Sequence, residues 1–560
     1  MKSMSRVVVL WLFMMGVSWG QNSDLPIRGT NTKYEQGDWI TYGQTRFVTS
    51  IALGQQFVYF GTTGGITRYD YWKNEWEFPF TISSGLADNS IKTIAFDENT
   101  SLLWAVTETA ISVYTPSSEQ WANYFLEDRG VTAHGDIVAI GFTQSSATFE
   151  FNDGYLFSCS NTGGWLRPYD SNYDGQNIQW AGYHQAPKGE YPHYFMDPGY
   201  FFLLNGTIQD DRLHKAPITV RLHDKWFKSW IGSWGMGALL GNTREQQLSF
   251  LNYGLFSRDV RAIALDKNGL WVGGENRNTS SIQDVNLAGL TYWNQVTEKW
   301  LYYESDFIPN LITDEVNRMT VAGSNLFCAT RFGLSIFNKR QNEWTKLTTF
   351  DGLNHENIFD VAVHNGVAYV ASEGGLNAFE IRALRTDTLE VYLIGGDDLK
   401  LSRVLDIEIN ENLLWAATDY GIYVYNIEED TGGFVDDVNG PVGERITAVT
   451  AFKSEVWFGT SRGIFPYDIE KKEWLGLPEK NFSIDALIYE MAADKHSIWA
   501  ATDQGVYKLN RRLRNWVHYT KQDGLSGNTV RAVLLDGDYV WFGTPEGLTL
   551  FYWNDPNRVD

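Results

Sequence analysis

One short pattern recurs along the whole chain, and it limits the fold more than any other feature. An apolar residue is followed by an aromatic, any residue, Gly or Ala, then Thr or Ser, and soon by Gly and an aliphatic. Clear copies are Val58-Tyr59-Phe60-Gly61-Thr62, Leu414-Trp415-Ala416-Ala417-Thr418, Val456-Trp457-Phe458-Gly459-Thr460, Ile498-Trp499-Ala500-Ala501-Thr502 and Val540-Trp541-Phe542-Gly543-Thr544. Looser copies centre on Trp104, Phe157, Trp230, Trp271, Phe327 and Tyr369, which makes eleven. From Phe327 onward the aromatic returns at intervals of 42, 46, 42, 42 and 42 residues. Each unit reads as four short strands, because its runs are β-branched or aromatic and bounded by Gly, Asn and Asp. The third strand ends in Tyr-Asp or Tyr-Asn, as at Tyr69-Asp70 and Tyr425-Asn426. The fourth begins at a Trp, as at Trp76, Trp121, Trp300, Trp344, Trp474 and Trp516, and Trp180 is assigned to the same position. A period near 42 with four strands and no helix is that of a β-propeller blade. The expected fold is therefore all-β, a propeller of about eleven four-stranded blades.

Ring closure is legible too. The last repeat ends at Phe551-Tyr552-Trp553 without a fourth-strand Trp, and Asp38-Trp39-Ile40-Thr41-Tyr42 precedes the first repeat as a spare strand. Residues 38–43 are expected to complete the last blade against residues 547–553, which removes two exposed sheet edges. Stacked blades usually close at roughly four to eight, so eleven favour two propellers, such as five plus six. If the chain ends pair, one propeller must be inserted within the other.

The N-terminus reads as an export signal at 1–20, followed by a lead at 21–37. Lys2 and Arg6 precede the apolar run Val7–Val17, and Ser18-Trp19-Gly20 offers a cleavage site. The run is too short to span a bilayer, so the product is expected to be exported, periplasmic or secreted, without a membrane span. Blades are assigned to 38–553, with an irregular insertion at 181–217, and a tail to 554–560. The chain carries 45 basic and 68 acidic residues, a net charge of −23. Such a surface repels phosphate backbones, so nucleic acid is not an expected partner. Two cysteines, Cys159 and Cys328, exclude a disulfide scaffold and read as buried thiols.

These repeats resemble the two-component regulator propeller repeats of exported bacterial sensors. The shared pattern of Gly-Leu, Asn, Val, Ile, Asp, Leu-Trp, Gly-Thr and Gly-Leu is carried in large part by residues 254–274, with Gly254-Leu255, Asp259-Val260, Ile263, Asp266, Gly269-Leu270-Trp271 and Gly273. In full sensors of this type such repeats precede a membrane span and a kinase and recognise glycans; here the chain runs to Asp560 without either. They are also similar to those of the two-propeller accessory protein of type IX secretion, which adds a C-terminal β-domain this chain lacks. The resemblance implies a sensor-like or scaffolding module.

No catalytic motif accompanies the repeats. His-Glu-x-x-His, Gly-x-Ser-x-Gly and Walker patterns are absent, and Asp436 to Gly440 lacks the ligand alternation and terminal Glu of a calcium loop. The expected activity is non-enzymatic binding of a glycan or protein partner, with no cofactor and no metal. Alternatives are a glycan-active hydrolase or lyase on the same fold, and a component of an envelope secretion system. In a four-stranded blade the turn between strands two and three shares a face with the link to the next blade. Candidate ligand-binding residues are those such turns present: Trp234, Arg331, Phe332, Asp419, Tyr420, Arg462 and Asp503. Exposed turns are polar in any case, but that does not explain the aromatics Trp234, Phe332 and Tyr420, on which sugar rings or peptides stack. Of the 23 Trp, 15 fill second- and fourth-strand positions and Trp11 and Trp19 fall in the export signal; Trp72, Trp165, Trp226, Trp234, Trp293 and Trp553 remain.

Overall fold

A computed structural model of the chain describes residues 34, 37–127, 134–183, 191–211, 213–224, 226–275, 289–386, 389–400, 402–436, 440–441, 443–476, 484–555 and 558. The export signal, most of the lead and residues 276–288 lie outside the described residues. Strands dominate, and they fall into eleven antiparallel sheets among the described residues, nine of them four-stranded. We number the sheets in chain order: 1 (48–80), 2 (91–125), 3 (137–183), 4 (200–251), 5 (262–303), 6 (318–347), 7 (358–394), 8 (404–434), 9 (446–474), 10 (488–519) and 11 (532–552). Sheet 11 takes its fourth strand from Trp39–Tyr42, in the register Trp39↔Phe551, Ile40↔Leu550, Thr41↔Thr549 and Tyr42↔Leu548. The chain ends therefore pair as the spare Trp implies.

The repeat residues each do a local job. The Thr that ends the second strand caps the turn to the third. Its Oγ1 donates to the carbonyl three residues on, as Thr418 does to Gly421 (2.8 Å) and Thr502 to Gly505 (2.8 Å). The same oxygen accepts from the amide two residues on. The Asp or Asn after the third-strand Tyr accepts from two amides in the four-residue turn that follows. Asp70 does so from Trp72 and Lys73, Asn426 from Glu428 and Glu429. The last residue of that turn takes a left-handed conformation, as at Asn74 (φ 57°) and Asp430 (φ 52°).

The small residue of the motif marks where sheets meet. A Cβ added at Gly459 would lie 2.9 Å from Ile488 of sheet 10, and one at Gly543 would lie 2.8 Å from Val260, which leads into sheet 5. The aromatic fills the space beside it. Trp415 reaches Phe458 (5.7 Å) and Tyr467 (5.8 Å) of sheet 9, and Trp499 reaches Phe542 (5.7 Å) of sheet 11. These rings build the inter-sheet cores.

The innermost strands of sheets 5, 6, 7, 8, 9, 10 and 11 pack one against the next, and sheet 11 packs back onto sheet 5. The closing seam is tied by the Val260 amide on the Thr544 carbonyl (2.9 Å) and by Arg531, whose Nη1 contacts both oxygens of Asp259 (3.1 and 2.9 Å). Sheets 1–4 pack in the spatial order 3, 2, 1, 4. The partition is thus four and seven rather than five and six, with the four-sheet group inserted between Tyr42 and Ala262. The chain leaves and re-enters the ring side by side: Gln44 bridges Leu255, Thr45 donates to the Tyr253 carbonyl (2.5 Å), and the Arg46 guanidinium lies over Phe256 (4.3 Å).

Sequence spacing misplaces two aromatics. Trp180 lies on Gln179–Tyr183, which adds to the inner edge of sheet 3 beside Ile137–Phe142 rather than forming an outer fourth strand. Phe157 lies on Leu156–Ser160, one strand further along than the second-strand position. The insertion is ordered by its own aromatics where it is described. Tyr191 and Tyr194 are buried with Ile208, Ile231 and Leu239, so the segment covers the face of sheet 4 that sheet 1 does not. Beside sheet 3, the wholly buried Asp174 accepts from Ser146 (2.8 Å), Ser158 (2.7 Å) and Arg167 (2.8 Å). Despite burial, those donors bring its carboxyl down to about 2. Cys159 and Cys328 are free and buried.

Candidate binding face of the seven-sheet ring

Because the sheets are antiparallel, the turns between second and third strands and the links between sheets emerge at one end of the ring. Arg331, Phe332, Asp419, Tyr420, Arg462 and Asp503 all lie on such turns, in sheets 6, 8, 9 and 10. The structure brings these six to one face. Trp234 occupies the equivalent turn of sheet 4 and so belongs to the four-sheet group; its half-buried ring packs edge-on to Phe47 (5.0 Å).

The capping Thr sets the backbone of these turns. Phe332, Tyr420 and Arg462 each donate their amide to the preceding Thr Oγ1 (3.1, 3.1 and 3.0 Å), which leaves the side chain projecting outward. Phe332 is 54% exposed and Tyr420 64%. The acids are engaged differently. Asp419 accepts from the Arg403 amide and Asp503 from the Leu487 amide, each at 3.0 Å and each 16 residues back. Glu373 accepts instead from the side-chain amide of Asn357 (2.9 Å), also 16 residues back, and pairs with Arg403 (2.7 Å); that hydrogen bond and the nearby guanidinium hold its carboxyl below the usual range. These carboxylates fasten the entry to each first strand. Arg331 contacts Glu275 (3.3 Å), which also binds Arg261, and Arg462 donates to Glu444 (2.9 Å). Of the six predicted residues, the two aromatics are the ones whose side chains are not bound into this polar lattice by any bond described here.

Sequence reasoning missed Phe350. The link from sheet 6 to sheet 7 forms a short 3-10 turn, Thr349–Asp351, capped by Thr348 and Asp351 and closed by Gly352 at φ 106°. The link after sheet 1 has the same form, with Thr81, Ser84 and Gly85, and the one after sheet 10 has Thr520, Asp523 and Gly524. At the second position of the turn those links carry Ser83 and Gln522; this one carries Phe350, 97% exposed. Aligning the links would have found it. The link lies on the predicted turn, since the Gly333 amide donates to the Glu356 carbonyl (2.7 Å).

Beneath this face the first strands line the ring axis. The positions that pair with the motif's Gly or Ala are Ala262, Arg318, Asp360, Asp406, Ala448, Glu490 and Ala532. The three acids accept backbone amides of the next sheet: Ile407 to Asp360 (3.1 Å), Val449 to Asp406 (2.7 Å) and Val533 to Glu490 (2.8 Å). Arg318 pairs with Glu490 (3.4 Å) and donates to the Tyr489 carbonyl (2.9 Å). One arginine faces these three acids at the ring axis. Burial and the neighbouring Asp360 push the Asp406 carboxyl up, burial pushes Glu490 up, and Glu408, two residues along and facing the same axis, is pushed up to about 8. This cluster latches sheet to sheet. Among the described residues, no group of three or more His, Cys, Asp or Glu is arranged to hold a metal ion. A cavity of about 890 Å³ opens at the other end of the strands between sheets 6 and 7, walled by Glu343, Thr345 and the connection through Arg382 and Arg385.

No protein-family model matches the chain, and no curated protein matches it by sequence. Solved structures do. PorZ, a surface component of the type-IX secretion system of Porphyromonas gingivalis, is 13% identical; the match covers 92% of this chain and 87% of PorZ, with a TM-score of 0.55. The extracellular domain of the hybrid two-component system BT4673 of B. thetaiotaomicron is 15% identical over 91% of this chain and 70% of that one, with a TM-score of 0.46. That of BT3049 is 14% identical over 94% and 77%, with a TM-score of 0.43. Among the described residues no helix is long and apolar enough to cross a membrane. The chain has the all-β propeller fold that PorZ shares, in keeping with the resemblance its repeats carry.

Proposed function

We propose that the protein is an exported, non-enzymatic propeller module, sensor-like or scaffolding, that binds a glycan or protein partner at the turn face of its seven-sheet ring. The observation that carries this reading is the set of exposed aromatics on that face: Phe350, Tyr420 and Phe332. Turn positions favour polar residues, and aromatic side chains left in water among polar neighbours are what partners bury. The lattice of Glu275, Glu373 and Glu444 with their arginines fixes the loops around them, so little ordering is needed on binding. A protein partner suits this face better than a small ligand, because its acids are engaged in holding loops. The likeness to PorZ along nearly its full length favours a role at the cell envelope, as a component of secretion machinery or as a sensor.

A photo-crosslinking residue placed at 350, 332 or 420 in the producing cell tests this. One partner crosslinked from all three positions, and not from the exposed Tyr539, supports the reading. Sugar release from a polysaccharide, lost on mutating one pair of acids, would replace it with the enzymatic alternative.

A further inference from the structure

Two of the tryptophans that the repeat does not explain meet in space. Trp72 lies in the turn between the third and fourth strands of sheet 1, and Trp226 in the turn between the strands Lys215–His223 and Lys228–Ser233 of sheet 4. The two sheets are neighbours, and both turns emerge at the end of the strands away from the capping-Thr turns. The indoles lie 5.6 Å apart at 73°, and Tyr71 sits 5.0 Å from Trp72 and 6.1 Å from Trp226. Phe227 adjoins them with the Arg244 guanidinium over its ring at 3.9 Å. Trp72 is 64% exposed, Trp226 45% and Phe227 53%.

Nothing in the repeat calls for these rings. At the position of Trp72, the third-to-fourth-strand turns of sheets 2, 6, 8, 9 and 10 hold Ser117, Arg340, Glu428, Glu470 and Arg512, and that of sheet 5 holds Val296. Among these turns Trp72 alone is aromatic, and it touches Trp226 of the neighbouring sheet. The core between sheets 1 and 4 is built on Val48, Phe60, Tyr69 and Trp230; Tyr71 packs against its edge, whereas Trp72, Trp226 and Phe227 are not among its residues.

We propose that Tyr71, Trp72, Trp226 and Phe227 form a stacking platform for the pyranose rings of a neutral glycan. Size decides against a protein. With roughly 200 Å² per aromatic side chain, the exposed fractions leave roughly 300 Å², against about 800 Å² per partner at a stable protein interface. That area matches one to three sugar units. Two ring faces set nearly at right angles offer apolar planes to C–H faces of a sugar, and exposed Lys73, Asn74 and Arg244 border them with donors for hydroxyls. The net charge of −23 disfavours anionic polysaccharides and anionic membrane surfaces. This site is separate from the ring face and does not depend on it.

The test is calorimetric titration of the full-length protein with cellohexaose, xylohexaose and mannohexaose, each to about 10 mM, a concentration that reveals millimolar affinities. Saturable binding of at least one is expected. Trp72→Ala and Trp226→Ala should each weaken it at least tenfold with unchanged melting temperature, Trp72→Phe should retain part of it, and Tyr539→Ala, at an exposed ring outside both sites, should leave it intact. No saturable binding to any of the three, or binding that survives both alanine variants, would overturn the proposal. Loss only in Phe350→Ala would also overturn it, by moving the glycan to the ring face.

Discussion

Replacing Trp39 by Ala measures how firmly the chain ends hold the ring. The indole is 4% exposed and lies flat on Phe551, with centroids 3.8 Å apart and planes at 10°. Tyr34 and Tyr519 meet it edge-on at 5.6 and 5.8 Å. Removing about 200 Å² of apolar contact at ~25 cal/mol per Å² costs about 5 kcal/mol. One term runs the other way: the indole N–H is buried without an acceptor, and deleting it returns about 1–2 kcal/mol of desolvation cost. The expected net loss is about 3–4 kcal/mol, within the range for buried Trp→Ala changes. Urea unfolding followed by tryptophan fluorescence measures it, with Trp72→Ala as the exposed control, expected within about 0.5 kcal/mol of wild type. Trypsin digestion in native buffer gives a second readout, since Arg46 lies just past the closing strand. A Trp39→Ala loss below about 1 kcal/mol, or unchanged cleavage at Arg46, would refute the view that this strand is integral to sheet 11.

Other outcomes follow from the same reasoning. Glu408 titrates near 8 in the folded protein and near 4.5 when unfolded, so the folded state binds the extra proton and stability falls as pH rises from about 4.5 to 8. Glu408→Gln should therefore raise the melting temperature relative to wild type by more at pH 8 than at pH 5; equal gains would place this side chain in water. Asp174→Asn should destabilise by about 2 kcal/mol or more at pH 7, and by less in acid, because the wild-type carboxylate loses its advantage as pH falls from 3.8 toward 2. Thr502→Val removes a buried turn cap and should cost about 1–2 kcal/mol by thermal unfolding. Phe350→Ala and Tyr420→Ala should leave stability within about 0.5 kcal/mol of wild type while abolishing crosslinking at that face.

The blades were legible because each motif residue meets a local demand. Thr caps a turn, Asp or Asn caps the next, Gly or Ala admits the neighbouring sheet, and the aromatic fills what remains. From Phe327 onward such demands repeat at intervals of 42 to 46 residues, and so does the pattern. The grouping of sheets was not legible, since whether sheet 4 packs on sheet 1 is decided by Val48 meeting Trp230 across 182 residues, a contact with no periodic trace. Trp180 fell to the wrong edge of sheet 3 for a related reason: its spacing fits a fourth strand, but Gly141 leaves room for its ring on the inner side. On the candidate face, residue type separated Phe332 and Tyr420 from their neighbours correctly as exposed aromatics. It could not show that Asp419 and Asp503 spend their oxygens on backbone amides, because those partners lie in the preceding link.

The pairing of Trp39 with Phe551 also orders events in time. When residue 251 has been made, every strand of the four-sheet group exists, and that group has what it needs to fold. The seven-sheet ring does not, since the strand at 39–42 has no partner until residues 547–552 appear, some 500 residues later. During synthesis the first strand therefore waits for its partner beside a four-sheet group that already has all its strands. Contacts of such sequence separation form slowly. The ring is thus a late-setting structure, which closes only once residues 547–552 have been made.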